Sequence, residues 1–202
     1  MSDNHYFASS PEGPLVPREI TVTLNGNKYS VLTAGGIFSP EHIDQGTQVL
    51  LTHLERANPS GNFLDIGCGW GPIALALALH SPKAVIYAID VNQRSLELTK
   101  LNAERLGISN IIVCKPEEVP HNIQFDEIWS NPPIRVGKVV LHEILTLWIN
   151  RLTTGGTARL VVQKNLGSDS LHKWLTQEFS PEFESTRIDS SKTFRVLKVT
   201  RT

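Results

Sequence analysis

Phe63-Leu64-Asp65-Ile66-Gly67-Cys68-Gly69-Trp70-Gly71 is the stretch from which the rest of the chain is read. A short apolar run reads as a buried strand, and it stops in a turn with glycine at alternate positions. The strongly apolar segment from Pro72 to Leu79 then reads as a helix. Strand, glycine turn and helix in that order are how an open parallel sheet holds a nucleotide-like ligand at the carboxyl end of its first strand. The backbone must turn sharply there with positive φ, and a ligand must approach it without meeting a Cβ.

The spacing of the turn selects the ligand. Dinucleotide sites usually carry G-x-G-x-x-G. This chain has Gly67-x-Gly69-x-Gly71, with Asp65 two residues ahead of the first glycine. Tyr87-Ala88-Ile89-Asp90 ends in a second acid, 25 residues after Asp65. A carboxylate at the tip of the second strand accepts both hydroxyls of a ribose, and an acid beside the first glycine meets a positively charged amino group. Together they suit S-adenosylmethionine, which has a ribose, an amino-acid tail and no phosphate.

The bounds agree with an ordinary globular domain. A chain of 202 residues, 40 % hydrophobic and 19 % charged, fits one domain and buries about 70 % of its unfolded surface. We expect residues 1–60 to form an extension with a hairpin and a helix, and residues 61–202 the cofactor-binding core. The formal net charge is -1, so a nucleic-acid partner needs a local basic face. Two cysteines without a CxxC pattern point to a reducing cytoplasm. The start, Met1-Ser2-Asp3-Asn4-His5, lacks a signal-peptide pattern. No apolar run approaches the roughly 20 residues needed to span a bilayer, so no membrane partner is expected. The seven histidines are scattered and form no ligand set, so no metal is expected.

In chain order, residues 1–17 read as an extended arm in which His5-Tyr6-Phe7 is a packing anchor. Ile20 to Leu24 and Tyr29 to Leu32 alternate around Asn25-Gly26-Asn27 and read as a β-hairpin. A helix is expected from about His42 to Arg56. Beyond the opening strand and helix, strands are expected at 84–89, 111–114 and 125–130. Helices are expected at about 92–106 and 138–152. Gly155-Gly156 turns into a strand from Ala158 to Val162, followed by a short helix over 170–179. Residues 183–188 and 193–199 read as an antiparallel pair closing an otherwise parallel sheet.

The second chemical signal is Ser130-Asn131-Pro132-Pro133-Ile134. Two consecutive prolines fix the backbone and remove two amide donors. Acceptors remain: the Asn131 side-chain oxygen and the Pro132 carbonyl. A planar amine donates in-plane hydrogen bonds to such a pair, which turns its lone pair toward an incoming electrophile. Positioning of this kind supplies much of a methyl-transfer rate, with no metal or nucleophilic residue.

These residues resemble the class I S-adenosylmethionine-dependent methyltransferases that carry an N/D-P-P-Y/F/I motif. More narrowly, Gly36-Ile37-Phe38-Ser39, Asp44-x-Gly46-Thr47 and Asn131 to Lys138 are similar to the methyltransferase small domain group, which includes the ribosomal RNA small-subunit methyltransferase C type. The resemblance implies a Rossmann-like, seven-stranded, mostly parallel sheet with an antiparallel last strand and helices on both faces. It also implies methylation of an exocyclic amine, typically N2 of guanine in ribosomal RNA. Gly67, Gly69 and Gly71 would line the methionine moiety, Asp65 its amino group, and Asp90 the ribose. Cys68 within the turn and Val91 after Asp90 are counted with these cofactor contacts. Phe38 and Thr47 would close over the cofactor, and Asn131 with Pro132 would hold the target amine, Asn131 also bordering the cofactor. Two departures stand out. Ile134, beside Pro133, replaces the aromatic that stacks on the base in many relatives. Glu117 stands in for the usual Asp near the adenine.

Topology supplies an RNA face. If the sixth strand of the core runs parallel to the fifth, Arg135, Lys138, Lys164 and Lys192 converge around one opening as a phosphate footprint. The reading adopted is an RNA amine methyltransferase. Its competitors are a methyltransferase of a protein glutamine or small-molecule amine, and a non-catalytic, S-adenosylmethionine-binding RNA assembly factor.

Overall fold

The computed structural model describes residues 13–202; the expected anchor His5-Tyr6-Phe7 lies outside them. A hairpin comes first, β1 (Arg18–Leu24) and β2 (Asn27–Thr33), paired antiparallel with Leu24 opposite Asn27. Asn25 (φ 50°) and Gly26 (φ 79°) make the two-residue turn, which requires positive φ at both positions. Helix α1 is Gln45–Leu51. The core follows as β3 (Ser60–Ile66), α2 (Pro72–His80), β4 (Lys83–Ile89), α3 (Gln93–Arg105), β5 (Ile111–Cys114) and β6 (Phe125–Ser130). Then come α4 (Lys138–Ile149), β7 (Leu152–Gln163), α5 (Ser168–Phe179), β8 (Phe183–Ser190) and β9 (Phe194–Arg201).

Seven strands form one sheet in the order β5-β4-β3-β6-β7-β9-β8. The pairs from β5 through β7 are parallel; β9 is antiparallel to both β7 and β8, so β8 runs in the same sense as β7. Alternation along the strands builds two cores, one on each face. Phe63, Ile86, Ala88, Trp129, Val161 and Val196 pack with α2, α3 and the hairpin. Leu64, Ile66, Ile89, Ile128, Leu160 and Leu197 pack under α4 and α5. Among the described residues no helix is long and apolar enough to cross a membrane.

Two expected elements differ. The helix expected over 42–56 is regular only from Gln45 to Leu51, with a separate single turn at Leu54–Arg56. Asp44 caps its start by accepting from the amides of Gly46 and Thr47, and i−3 bonds from Thr52 and His53 tighten its end. The helix expected to reach Leu152 stops at Ile149, and Leu152 already pairs with Phe125 in β7. Residues between that pair and Glu127–Thr157 bulge out of register. Gly156 sits where an added Cβ would lie 2.8 Å from the Thr153 carbonyl, so the bulge admits only glycine there.

Candidate active site

Chain order reverses direction between β3 and β6, which places a crevice at their carboxyl ends. Asp65 lies opposite Trp129 and Ile66 opposite Ser130, so the glycine turn and Asn131 leave the sheet side by side. Ser130 Oγ donates to the Ile66 carbonyl (2.8 Å) and ties the two exits together. On the other flank the amides of Gly67 and Cys68 both donate to the Ile89 carbonyl, at 2.9 and 3.0 Å.

The turn holds Gly67 at φ 76° and Gly69 at φ 58°. A Cβ on either would meet no protein atom within 4 Å, and both residues line the cleft. The backbone is therefore bare where a ligand would lie against it. Gly71 serves packing: a Cβ there would come within 3.1 Å of Thr99 on α3. The cleft, about 360 Å³ and open to solvent, is walled by Phe38-Ser39, Asp44, Thr47, the turn from Gly67 to Trp70, Pro72-Ile73 and Asn131.

Two acids back the turn. Asp90 accepts from the Gly69 amide (3.0 Å, Oδ2) and the Asn92 amide (2.9 Å, Oδ1), and burial pushes its carboxyl up from the ordinary range. Asp65 is fully buried; its Oδ2 accepts from the Ala74 amide at 3.0 Å, and its Oδ1 has no partner. Burial raises the Asp65 carboxyl to about 8. A buried carboxylate oxygen without a donor is costly, and an ammonium group would relieve it. The bare glycines and the two acids thus fit a ligand carrying an amino-acid cation. The Asp90 carboxylate, with about four acceptor sites, keeps capacity for hydroxyls beyond its two amide bonds.

The loop from Ala34 to Asp44 is held across this turn. Asn92, which caps α3, donates to the Gly36 carbonyl (3.0 Å), Arg94 to that of Gly35 (2.6 Å), and the Trp70 indole to that of Ser39 (3.3 Å). The loop carries Phe38 at the cleft wall with 53 % of its surface exposed.

On the opposite wall, the Asn131 side-chain nitrogen donates to Asp44 Oδ2 (2.9 Å) and to Thr47 Oγ1 (3.1 Å). A carboxylate only accepts, so the amide is orientated with its nitrogen toward α1 and its Oδ1 as the remaining acceptor. Pro133 (φ −75°, ψ 75°) forms an inverse γ-turn in which the Ile134 amide donates to the Pro132 carbonyl at 2.8 Å. That carbonyl, expected to be free for a target amine, keeps one lone pair.

Of the residues singled out by the sequence, Phe38, Thr47, Gly67, Cys68, Gly69 and Asn131 line one cleft, and Asp65 lies buried beneath the turn. Others are placed differently. Val91 is exposed and Glu117 stands exposed on the single turn Pro116–Glu118; neither lines the cleft. Ile134 is half-buried and packs against the core under α4 and α5. Arg135 stands in the turn Ile134–Val136, Lys138 opens α4, Lys164 follows β7, and Lys192 lies between β8 and β9. All four positions follow carboxyl ends of strands that run in one sense. The Lys164 amide donates to the Thr193 carbonyl (2.9 Å), which joins two of these loops. His142 stacks on Trp174 at 3.6 Å, a packing role. Among the described residues no group of three or more His, Cys, Asp or Glu forms a metal site. Asp44 and Ser39 stand in stretches that carry the family resemblance, yet they and Asn92 are not among the expected site residues. Asp44 is 87 positions from Asn131, and nothing local announces their contact.

The family model described as methyltransferase small domain matches residues 28–198. The uncharacterized protein YbxB of Bacillus subtilis (strain 168) is 32 % identical over 197 residues, 96 % of each chain. The ribosomal RNA small subunit methyltransferase C of Shewanella pealeana is 33 % identical over 135 residues, 65 % of this chain and 39 % of that protein. Among solved structures, the T. thermophilus 16S rRNA N2 G1207 methyltransferase (RsmC) in complex with AdoMet and guanosine aligns with a TM-score of 0.80. It is 23 % identical and covers 95 % of this chain and 52 % of its own. This chain thus spans about two fifths of the one rRNA methyltransferase and about half of the other.

Proposed function

The chain belongs to the methyltransferase small domain family, and on that premise we propose that it methylates an exocyclic amine, N2 of guanine in ribosomal RNA, in the cytoplasm. By its membership it is an S-adenosylmethionine-dependent methyltransferase. The observation that carries the choice of an amine is the orientation of Asn131. Its nitrogen is committed to Asp44 and Thr47, so the group beside the cofactor turn is an acceptor. An acceptor pair, Asn131 Oδ1 and the Pro132 carbonyl, suits an NH₂ donor and repels a carbonyl or an unprotonated ring nitrogen.

S-adenosylmethionine, when bound, supplies a methyl group activated by its sulfonium. The bare Gly67 and Gly69 would receive it, Asp65 would answer its ammonium from beneath the turn, and Asp90 would take its ribose hydroxyls. Asn131 and Pro132 hold the two amine protons, so the nitrogen lone pair is free to form the new C–N bond. That transfer would break the donor's C–S bond, with the electron pair going to sulfur, and the extra proton on nitrogen would go to water. Orientation accounts for the rate, since the donor is already activated. Ribosomal RNA and guanine N2 are suggested by the two rRNA methyltransferases to which the chain is similar. Arg135, Lys138, Lys164 and Lys192 would meet the RNA backbone.

The test is tritiated methyl transfer from S-adenosylmethionine to ribosomal RNA from cells lacking the protein, with Asn131→Ala alongside. Label with the wild type, absent from Asn131→Ala at equal cofactor affinity, is expected. Full activity in Asn131→Ala overturns the assigned role. Label in protein or small molecules and none in RNA overturns the acceptor.

A further inference from the structure

We propose that Asp44 is a positioning residue for the transfer: its carboxylate sets which end of the Asn131 amide faces the acceptor and strengthens that end. The inference rests on the amine-methylation reading above. A single oxygen, Asp44 Oδ2, gathers three donors: the Gly46 amide (2.8 Å), the Thr47 amide (3.3 Å) and Asn131 Nδ2 (2.9 Å). The first two begin α1, so the helix start and the amide of a residue 87 positions away share one acceptor.

Asparagine by itself has no polarity preference, because its two ends differ by one atom type. A neutral partner such as the Thr47 hydroxyl both donates and accepts, so it tolerates either orientation. A carboxylate tolerates only the NH₂ end, and Asp44 therefore fixes the choice. The same contact is charge-assisted, which draws electron density onto Asn131 Oδ1 and strengthens the bond it accepts. As the acceptor nitrogen becomes cationic during transfer, the Asp44 charge reaches it through that amide.

The geometry is enforced from behind. Gly46 is tightly enclosed: a Cβ would sit 3.0 Å from Asp44 Oδ2 and 3.0 Å from the Phe194 ring of β9, so a larger residue would press on the Asp44 carboxylate. Thr47, buried and also bonded to Asn131, completes the clamp. Asp44 also ends the loop that carries Phe38 across the cofactor turn, so acceptor and cofactor sides are joined through one residue.

The experiment compares Asp44→Ser, Asp44→Asn and Asp44→Ala. Serine keeps the helix cap but is too short to reach Asn131; asparagine keeps the length but loses the charge. The readouts are the thermal midpoint, the S-adenosylmethionine Kd, single-turnover methyl transfer to ribosomal RNA, and the Asn131 side-chain NH₂ resonances, assigned by their loss in Asn131→Ala. The expected result for Asp44→Ser is a wild-type melting point and Kd, displaced Asn131 NH₂ signals, and a transfer rate down about 100-fold. Asp44→Asn should recover part of that rate. Unmoved Asn131 signals, or full transfer by Asp44→Ser, overturn the proposal. Wild-type protein that labels no RNA while Asp44→Ser displaces the signals overturns the RNA acceptor and supports the clamp.

Discussion

Asp65 makes the pH dependence of cofactor binding a direct test of the site. Burial is the main cause that pushes its carboxyl from the ordinary 3.8 to about 8; the Ala74 amide opposes the shift and Asp90 adds to it. At pH 7 the free protein therefore holds about 0.9 of a proton on Asp65. A cationic amino group seated against this carboxyl favours the charged form and drives the proton off. Binding of S-adenosylmethionine at pH 7 should then release close to one proton. Affinity should climb nearly tenfold per pH unit toward pH 8 and fall again above it, where the ligand's own ammonium loses its proton. The sign for folding is the reverse. A carboxyl raised in the folded state stabilises below its ordinary value of 3.8, and that stability is lost as pH rises through about 8. The free protein should melt lower at pH 8 than at pH 5, and Asp65→Asn should lessen the difference. Titration calorimetry at pH 7 in phosphate and in Tris, whose ionisation heats differ, counts the released protons. The ligand's own amino group titrates near pH 8 (about 8 for an α-amine), and Asp65→Asn meets the same ligand, so the difference between the proteins isolates Asp65. Equal proton release by wild type and Asp65→Asn refutes the reasoning.

Gly69→Ala should weaken S-adenosylmethionine binding by more than tenfold, because its Cβ enters the cleft, while the positive φ costs about 1 kcal/mol of stability. Gly107→Ala, at φ 67° and facing open space after α3, is the control: a similar loss of melting temperature with unchanged Kd. Arg159→Met should cost about 3–5 kcal/mol, because it leaves Glu127 charged and buried with only the Trp129 indole and the Asn58 amide as donors. Calorimetric melting lower by about 6–20 °C is expected, and a change under 2 °C would contradict it. Lys138→Glu with Lys192→Glu should weaken RNA binding at low salt and flatten its salt dependence, leaving S-adenosylmethionine affinity intact; unchanged filter binding would count against the basic face.

Most of the sheet was legible because its strands are buried on both faces and read as continuous apolar runs, from Phe63-Leu64 to Val161-Val162. The hairpin was legible because Asn25-Gly26 permits only one kind of turn. The cleft residues were legible where backbone demands and chemistry coincide, as at Gly67, Gly69 and Asn131. Failures fall where a local pattern is overruled by a distant partner. The apolar positions from Ile43 to Leu54 suggest one helix, but Asp44 and the i−3 bonds cut it to Gln45–Leu51. Ile134 follows Pro-Pro as a stacking residue does in relatives, yet the inverse γ-turn and the core under α4 take it in. Nothing local in the sequence announces that Glu127 will be buried against Arg159, 32 positions away.

The same limit applies to the two motifs themselves. Each is a local signal, and neither says that they meet. Had β6 been added beyond β5, three strand spacings, about 14 Å, would separate Asn131 from the glycine turn. Because β6 crosses back to the free edge of β3, they are one spacing apart, about 4.8 Å. Methyl transfer needs donor and acceptor within van der Waals reach, so the crossover is what makes the acceptor pair useful. It also delivers the strand end to α1, where Asp44 takes the nitrogen end of the Asn131 amide and leaves its oxygen as the free acceptor.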